Sequence, residues 1–305
     1  MALLKSIYRL FIDTYQGWQK ANSPLLAAAL AYYAIFSLAP LLVVALSIAD
    51  LAYDQLAARQ VILSNVQRIA GQQVMEAIQS ILENASQTPA SGLIAIISLI
   101  VLIYTASVMF VKLKLAINIL WGIAPDPRRL LLLSVWSQVR SILLVFTLGL
   151  LLILFMATST LIVTLHQVIA ALPRYSLLLE YLPQADFGIV LLLFTLFFAI
   201  VFKTLPEAKI SWRDVLLGAF VTGFFFTIGE FLIGFYLGKV SHASTFGAAG
   251  SLTLILIWIY LSMQIILFGA EFTLVYANRY GSGIEPAGMA VRVIRLLGES
   301  DKATK

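Results

Sequence analysis

The chain has 305 residues, 61% of them hydrophobic and 11% charged, against about 45–50% and 25% in soluble domains, so a soluble globular enzyme or binding domain is excluded. The mean hydropathy of +0.96 points the same way. Cysteine is absent, which excludes disulfides, thiolate metal sites and cysteine nucleophiles, and the net charge of +5 is explained below by sidedness rather than by nucleic acid. The fold class is all-α: a polytopic integral membrane protein with six transmembrane helices plus amphipathic surface helices.

In chain order, residues 1–23 form a first segment with a stripe of Leu4, Ile7, Phe11, Tyr15 and Trp18 beside Lys5, Arg9 and Lys20. This is an amphipathic helix, either lying at the membrane surface or packed on the bundle. Ser23 is placed as N-cap and Pro24 at the first helical position of the next helix. The membrane domain covers 24–280, with spans at about 25–49, 92–111, 141–165, 187–203, 215–238 and 252–277, each set against a hydrocarbon core of about 30 Å. In the first span, Ala27, Ala28, Ala31 and Ala34 permit close helix packing, and Pro40 removes a backbone bond and predicts a kink near Phe36. Residues 50–89 are an insertion of two amphipathic helices on the outer side, with Val74, Ile78, Ile81 and Leu82, and Ile62, Val66 and Ile69, at helical spacing. A loop with Pro173, Arg174 and Pro183 precedes the fourth span, and a tight hydrophilic hairpin with Pro206 follows it. In the fifth span, Ala219, Gly223, Thr227, Glu230, Gly234 and Gly238 occupy one band, so Gly223, Gly234 and Gly238 are helix-packing positions and Glu230 lies on a packed face. The segment 281–305 is a basic tail, attached to anionic lipid or solvated.

The sixth span has a distinctly polar face. At 100° per residue, Thr253, Tyr260, Gln264, Glu271 and Asn278 fall within about 40° of one direction. A carboxylate on a spanning helix is costly in lipid, so Glu271 faces protein or water. With Glu230, these residues make a candidate polar pathway; the alternative is a pair of structural carboxylates satisfied by hydrogen bonds or protonation. Helical rise separates Glu230 and Glu271 in depth by about 20 Å. Glu271 lies near the level of Lys112 and Lys114, its candidate partners.

Six spans put both termini on one side. That side carries sixteen of the Lys and Arg residues and the other carries Arg59, Arg68, Arg174 and Lys239. The positive-inside rule then places both termini in the cytoplasm. No internal repeat, phosphate-binding loop or His/Asp cluster is visible, and the two histidines, His166 and His242, both map to the outer side. No catalytic, metal or cofactor residues are assigned.

Three blocks carry a resemblance: AAALAYYAIFSLAPLLVV (27–44), LPEAKISWRDVLLGAFVTGFFFTIGEFLIGFYL (205–237) and FGAAGSLTLILIWIYLSMQIILFGAE (246–271). In order and combination they resemble the YihY/BrkB family of bacterial inner-membrane proteins. The resemblance implies envelope or lipid-related transport and supplies no catalytic residues; Glu271 falls inside its Gly269-Ala270-Glu271 motif. An old label of this family, ribonuclease BN, is disfavoured because no catalytic or metal constellation is visible. The expectation is therefore a non-enzymatic, transporter-like protein with membrane lipids as partners and a lipid or small molecule as substrate, and a non-transporting scaffold or envelope-integrity factor as the alternative. No oligomeric state is read from the sequence.

Overall fold

The computed structural model describes residues 2–52, 92–125, 176–239, 247–287 and 290–292, and between the first two blocks residues 60, 63–64, 66–67, 72, 74–76, 78–79 and 83. Within these, the side chains of 2–4, 38–52, 92–95, 98–99, 102–103, 106, 125, 176–186, 230–231 and 233–252 lie outside the description. The long helices are α1 (Ala2–Lys20), α2 (Ser23–Ala52), α3 (Gly92–Leu120), α4 (Ser176–Thr204), α5 (Trp212–Lys239) and α6 (Gly247–Tyr280). Short strands β1 (Ile123–Pro125), β2 (Ala208–Lys209), β3 (Glu285–Pro286) and β4 (Ala290–Arg292) lie between and after them.

Three windows among the described residues are long and apolar enough to cross a membrane: Phe187–Thr204, Trp212–Gly229 and Thr253–Tyr280. Helices α2 and α3 have 30 and 29 residues, a length of about 45 Å at 1.5 Å per residue. The expected span at 141–165, with His166, lies outside the described residues. Seven hydroxyls on these helices are satisfied locally. Thr105, Thr195, Thr204, Thr222, Thr227, Ser262 and Thr273 each donate to the carbonyl four residues back, at 2.5–2.9 Å. In lipid no water is available for that bond, so the helix's own backbone supplies it.

The helices run further than hydropathy indicates. Helix α3 continues past Lys112 and Lys114 to Leu120. It does so because Lys114 Nζ meets Glu207 Oε1 at 2.6 Å, both side chains only 13–15% exposed, while Lys112 lies 5.4 Å from the centre of the Tyr33 ring. The expected loop before the fourth span is also corrected: residues 176–186 are helical and Pro183 lies inside α4. Proline interrupts the apolar pattern, but helices in protein-lipid surroundings accommodate it. Pro40 is likewise within α2; its side-chain surroundings lie outside the description.

Asn22 separates α1 from α2. It has φ of 53°, the left-handed conformation that asparagine tolerates better than most residues. Its carbonyl accepts from the N–H groups of Leu25 and Leu26 at 3.0 and 3.2 Å, so Asn22 both ends α1 and starts α2. Ser23, expected as the N-cap, is instead the first helical residue, and its buried hydroxyl has no hydrogen-bond partner among the described residues.

Phe198, Phe202, Leu30, Ile117, Leu267 and Val215 are fully buried at the centre. Ala27, Ala31 and Ala34 of α2 are buried on a helix packed against both α3 and α6, while Ala28, expected with them, is exposed. The described residues between 60 and 83 are helical, and Val74 and Ile78 join the core. Their polar side is stitched at helical spacing, Gln72 to Glu76 and Gln79 to Glu83.

One end of the bundle, here the basal end, is closed by the strands. β1 pairs antiparallel with β4, Ile123 opposite Arg292, and β2 with β3, Ala208 opposite Pro286. The chain after α6 is therefore not simply a tail: through Arg292 it is woven into the ends of α3 and α4. Nor is the turn between α4 and α5 hydrophilic throughout, because Leu205, Pro206 and Ile210 are buried beneath these pairings.

Candidate functional site

Helix α6 makes two kinds of close contact near its basal end. Toward α5 the contact is reciprocal. A Cβ on Gly269 would lie 1.8 Å from Thr222 Oγ1, and one on Gly218 would lie 1.9 Å from Thr273 Oγ1. Each threonine donates its hydroxyl to the carbonyl of the glycine four residues earlier on its own helix, at 2.7 Å. Each helix thus carries a Gly-x-x-x-Thr unit whose threonine fills the space over the other helix's glycine. Gly218 and Thr222 were not among the packing residues read from the sequence. The signal was there, as the same spacing at 218/222 and 269/273. Gly223, which was singled out, faces α4: a Cβ there would stand 3.2 Å from the Thr195 backbone N. Gly234 and Gly238 lie within α5, and their surroundings, like the side chain of Glu230, lie outside the description.

Toward α1 the contact is a carboxylate on a glycine. Glu271 is 4% exposed, and a Cβ on Gly17 would lie 1.9 Å from its Oε1. Thr14, one turn earlier in α1, is fully buried and bonds the Leu10 carbonyl at 2.7 Å. Phe11 packs its ring 5.6 Å from Phe272 and 6.1 Å from Phe225. The rim is polar: Arg279 Nη1 meets Asp13 Oδ2 at 2.8 Å, and the Ser6 and Tyr280 hydroxyls are hydrogen-bonded. Of the two readings open for α1, the structure selects packing on the bundle for this face. Beside Glu271, the Trp121 indole N–H donates to the Ala270 carbonyl at 3.0 Å, tying the end of α3 to the same turn.

The remaining polar residues of α6 divide by burial. Tyr260 and Gln264 are half-buried, while Thr253 and Asn278 are exposed. Gln264 is two turns from Glu271, about 10 Å along the axis. Its buried Oε1 has no hydrogen-bond partner among the described residues. Asn278 accepts from the Ile284 N–H at 3.4 Å and so helps to turn the chain out of α6. The turn is completed by Asp214 of α5, buried against Gly281, which takes the Ser282 N–H and hydroxyl at 3.3 Å each. Among the described residues no group of three His, Cys, Asp or Glu side chains could hold a metal ion.

A family model described as virulence factor BrkB matches residues 14–293. A UPF0761 membrane protein of Mannheimia succiniciproducens is 27% identical over 91% of this chain and 92% of its own length. One of Aggregatibacter aphrophilus is 26% identical over 86% of this chain and 90% of its own length. Against one of Saccharophagus degradans the identity is 27% over 90% of this chain, but the match spans only 59% of that longer protein. These names state a membrane protein and no activity. No solved structure matches.

Proposed function

Because the chain belongs to the virulence factor BrkB family, a family of bacterial membrane proteins, we propose that it is a transporter-like protein of the bacterial inner membrane that moves a lipid or another envelope component. The observation that carries this reading is the polar line on α6. It is exposed at Thr253 and Asn278 and buried between them at Glu271, and it includes the unpartnered buried acceptor on Gln264. A buried amide oxygen without a partner costs free energy. In this reading water or a passing polar group supplies the missing bond.

In this reading Glu271 is the charge that couples to the substrate or to a proton. Its test is Glu271→Gln, which keeps size and hydrogen bonding and removes titration. The expected result is normal insertion, a melting temperature unchanged or raised, and loss of whatever envelope phenotype the deletion strain shows. Gln264→Leu gives a milder loss. In proteoliposomes carrying a fluorescent phospholipid, bleached from outside, the wild-type chain transfers lipid between leaflets faster than protein-free vesicles do, and Glu271→Gln does not. Full complementation by Glu271→Gln refutes the role of this carboxylate. Wild-type vesicles no faster than protein-free ones favour the scaffold reading, which the tight Gly/Thr contact between α5 and α6 supports.

Both termini face the cytoplasm in this proposal, on the sixteen-to-four distribution of basic residues. With no native cysteine to interfere, an impermeant thiol reagent applied to intact cells labels Asn84→Cys and Arg174→Cys and leaves Ser300→Cys unmodified. Labelling of Ser300→Cys overturns the orientation.

A further inference from the structure

Helix α1 packs one side on α5 and α6 and leaves an arc of its circumference exposed. Around the helix at 100° per residue, the packed side runs from Gly17 through Leu10 and Thr14 to Phe11, with Trp18 within it, and is followed by Tyr15 and Tyr8. Lys5, Arg9 and Lys20 come next, within about 60° of one another. Tyr8 and Tyr15 are 68% and 52% exposed, and Lys5, Arg9 and Lys20 are exposed beside them. The acidic residue bordering the basic arc, Asp13, is engaged by Arg279.

The two ends of α1 fix its level. Lys20 is three residues before Ser23, where the apolar helix α2 begins. Ser6 is bonded to Tyr280, the last residue of the spanning window of α6. A helix held between the start of one apolar helix and the end of a spanning one lies at the boundary between hydrocarbon and water. There an exposed aromatic strip meets acyl chains and glycerol, and an adjoining basic arc meets phosphates. The exposed Trp212 at the start of α5, with Lys203 stacked over its ring at 5.4 Å, repeats the pairing of aromatic and cation at the end of a spanning window.

We propose that the outer face of α1, formed by Tyr8 and Tyr15 beside Lys5 and Arg9, is a docking surface for anionic phospholipid headgroups of the leaflet in which it lies. The charge complementarity is specific to anionic headgroups, because a zwitterionic headgroup offers its own cation to the same phosphate. The surface is distinct from the polar line of α6 and stands or falls apart from any transport activity.

The test uses the full chain in detergent, with a polarity-sensitive fluorophore on Tyr8→Cys, titrated with phosphatidylglycerol and separately with phosphatidylcholine. The local probe reports lipid at α1 and not elsewhere. The expected result is that phosphatidylglycerol saturates the signal at lower concentration. Each of Lys5→Gln and Arg9→Gln then raises its half-saturating concentration about five-fold, leaving phosphatidylcholine unchanged. The charge-preserving pair Lys5→Arg with Arg9→Lys retains the preference, which separates loss of charge from loss of fold. Equal titration by the two lipids overturns the proposal, as does a preference that survives both neutralising changes.

Discussion

The two contacts on the basal half of α6 place glycine opposite a polar side chain in both cases, yet they differ in what the side chain can do. Against α5, the opposing groups are Thr222 and Thr273, β-branched and held by their own i−4 hydrogen bonds. Against α1, the opposing group is the far end of the Glu271 side chain. Threonine Cβ and Cγ2 cannot retreat without moving the helix, whereas a glutamate carboxylate can swing on its own torsions. The first contact therefore sets the spacing of two helices and the second is adjustable. In lipid, where apolar surface gains nothing by leaving the acyl chains, close packing of this first kind is the principal attraction between helices.

Breaking the rigid contact should have the largest effect. Gly269→Ala puts a methyl group 1.8 Å from Thr222 Oγ1 and 2.7 Å from its Cβ, and overpacking of that kind costs about 1–3 kcal/mol. The melting temperature in detergent should fall, and adding Thr222→Ala should recover part of the loss, a coupling that a double-mutant cycle measures. An unchanged melting temperature for Gly269→Ala would mean that the two helices are free to slide. Gly17→Ala sharpens the comparison. Its added methyl meets only the Glu271 carboxylate end and carbon Cδ within 3 Å, so its cost should be smaller than that of Gly269→Ala. If the two alanine substitutions cost the same, the α1 contact is as rigid as the α5 contact. The smallest effect belongs to the rim. Asp13 and Arg279 are 49% and 33% exposed, and such a pair contributes about 0.2–1 kcal/mol. Arg279→Gln should lower the melting temperature slightly at low ionic strength and not at all at high salt. A large, salt-independent loss would show that α1 is held by this pair rather than by Phe11, Thr14 and Gly17.

Part of this difference was legible beforehand. The 3.6-residue period placed Glu271 on a face that must avoid lipid, and its burial agrees with that placement. Ala27, Ala31 and Ala34 of α2 were readable for the same reason, whereas Ala28 is exposed. The contact of Glu271 with Gly17 was not readable. Lys112 and Lys114 were the cations at a suitable level by helical rise; Lys114 meets Glu207, from the turn after α4, and Lys112 lies on Tyr33. Gly17 carries no charge or polarity to advertise it. The Gly-x-x-x-Thr pair was visible as a spacing and was passed over for the Gly234/Gly238 pair, because spacing alone does not say which glycines meet a neighbour.

What the sequence determined by itself is therefore local or additive: membrane residence, the positions of α2, α3, α5 and α6 to within a few turns, and the family. Hydropathy and helical period are sums over neighbouring residues, and the bilayer acts on each segment separately. What only the tertiary structure decided is the meeting of distant segments. Gly17 came to lie on Glu271, Trp121 on the Ala270 carbonyl, and the segment after α6 between the ends of α3 and α4. Those meetings depend on how helices cross and on where a two-residue turn such as Ala21-Asn22 sends the chain, and a one-dimensional pattern contains neither.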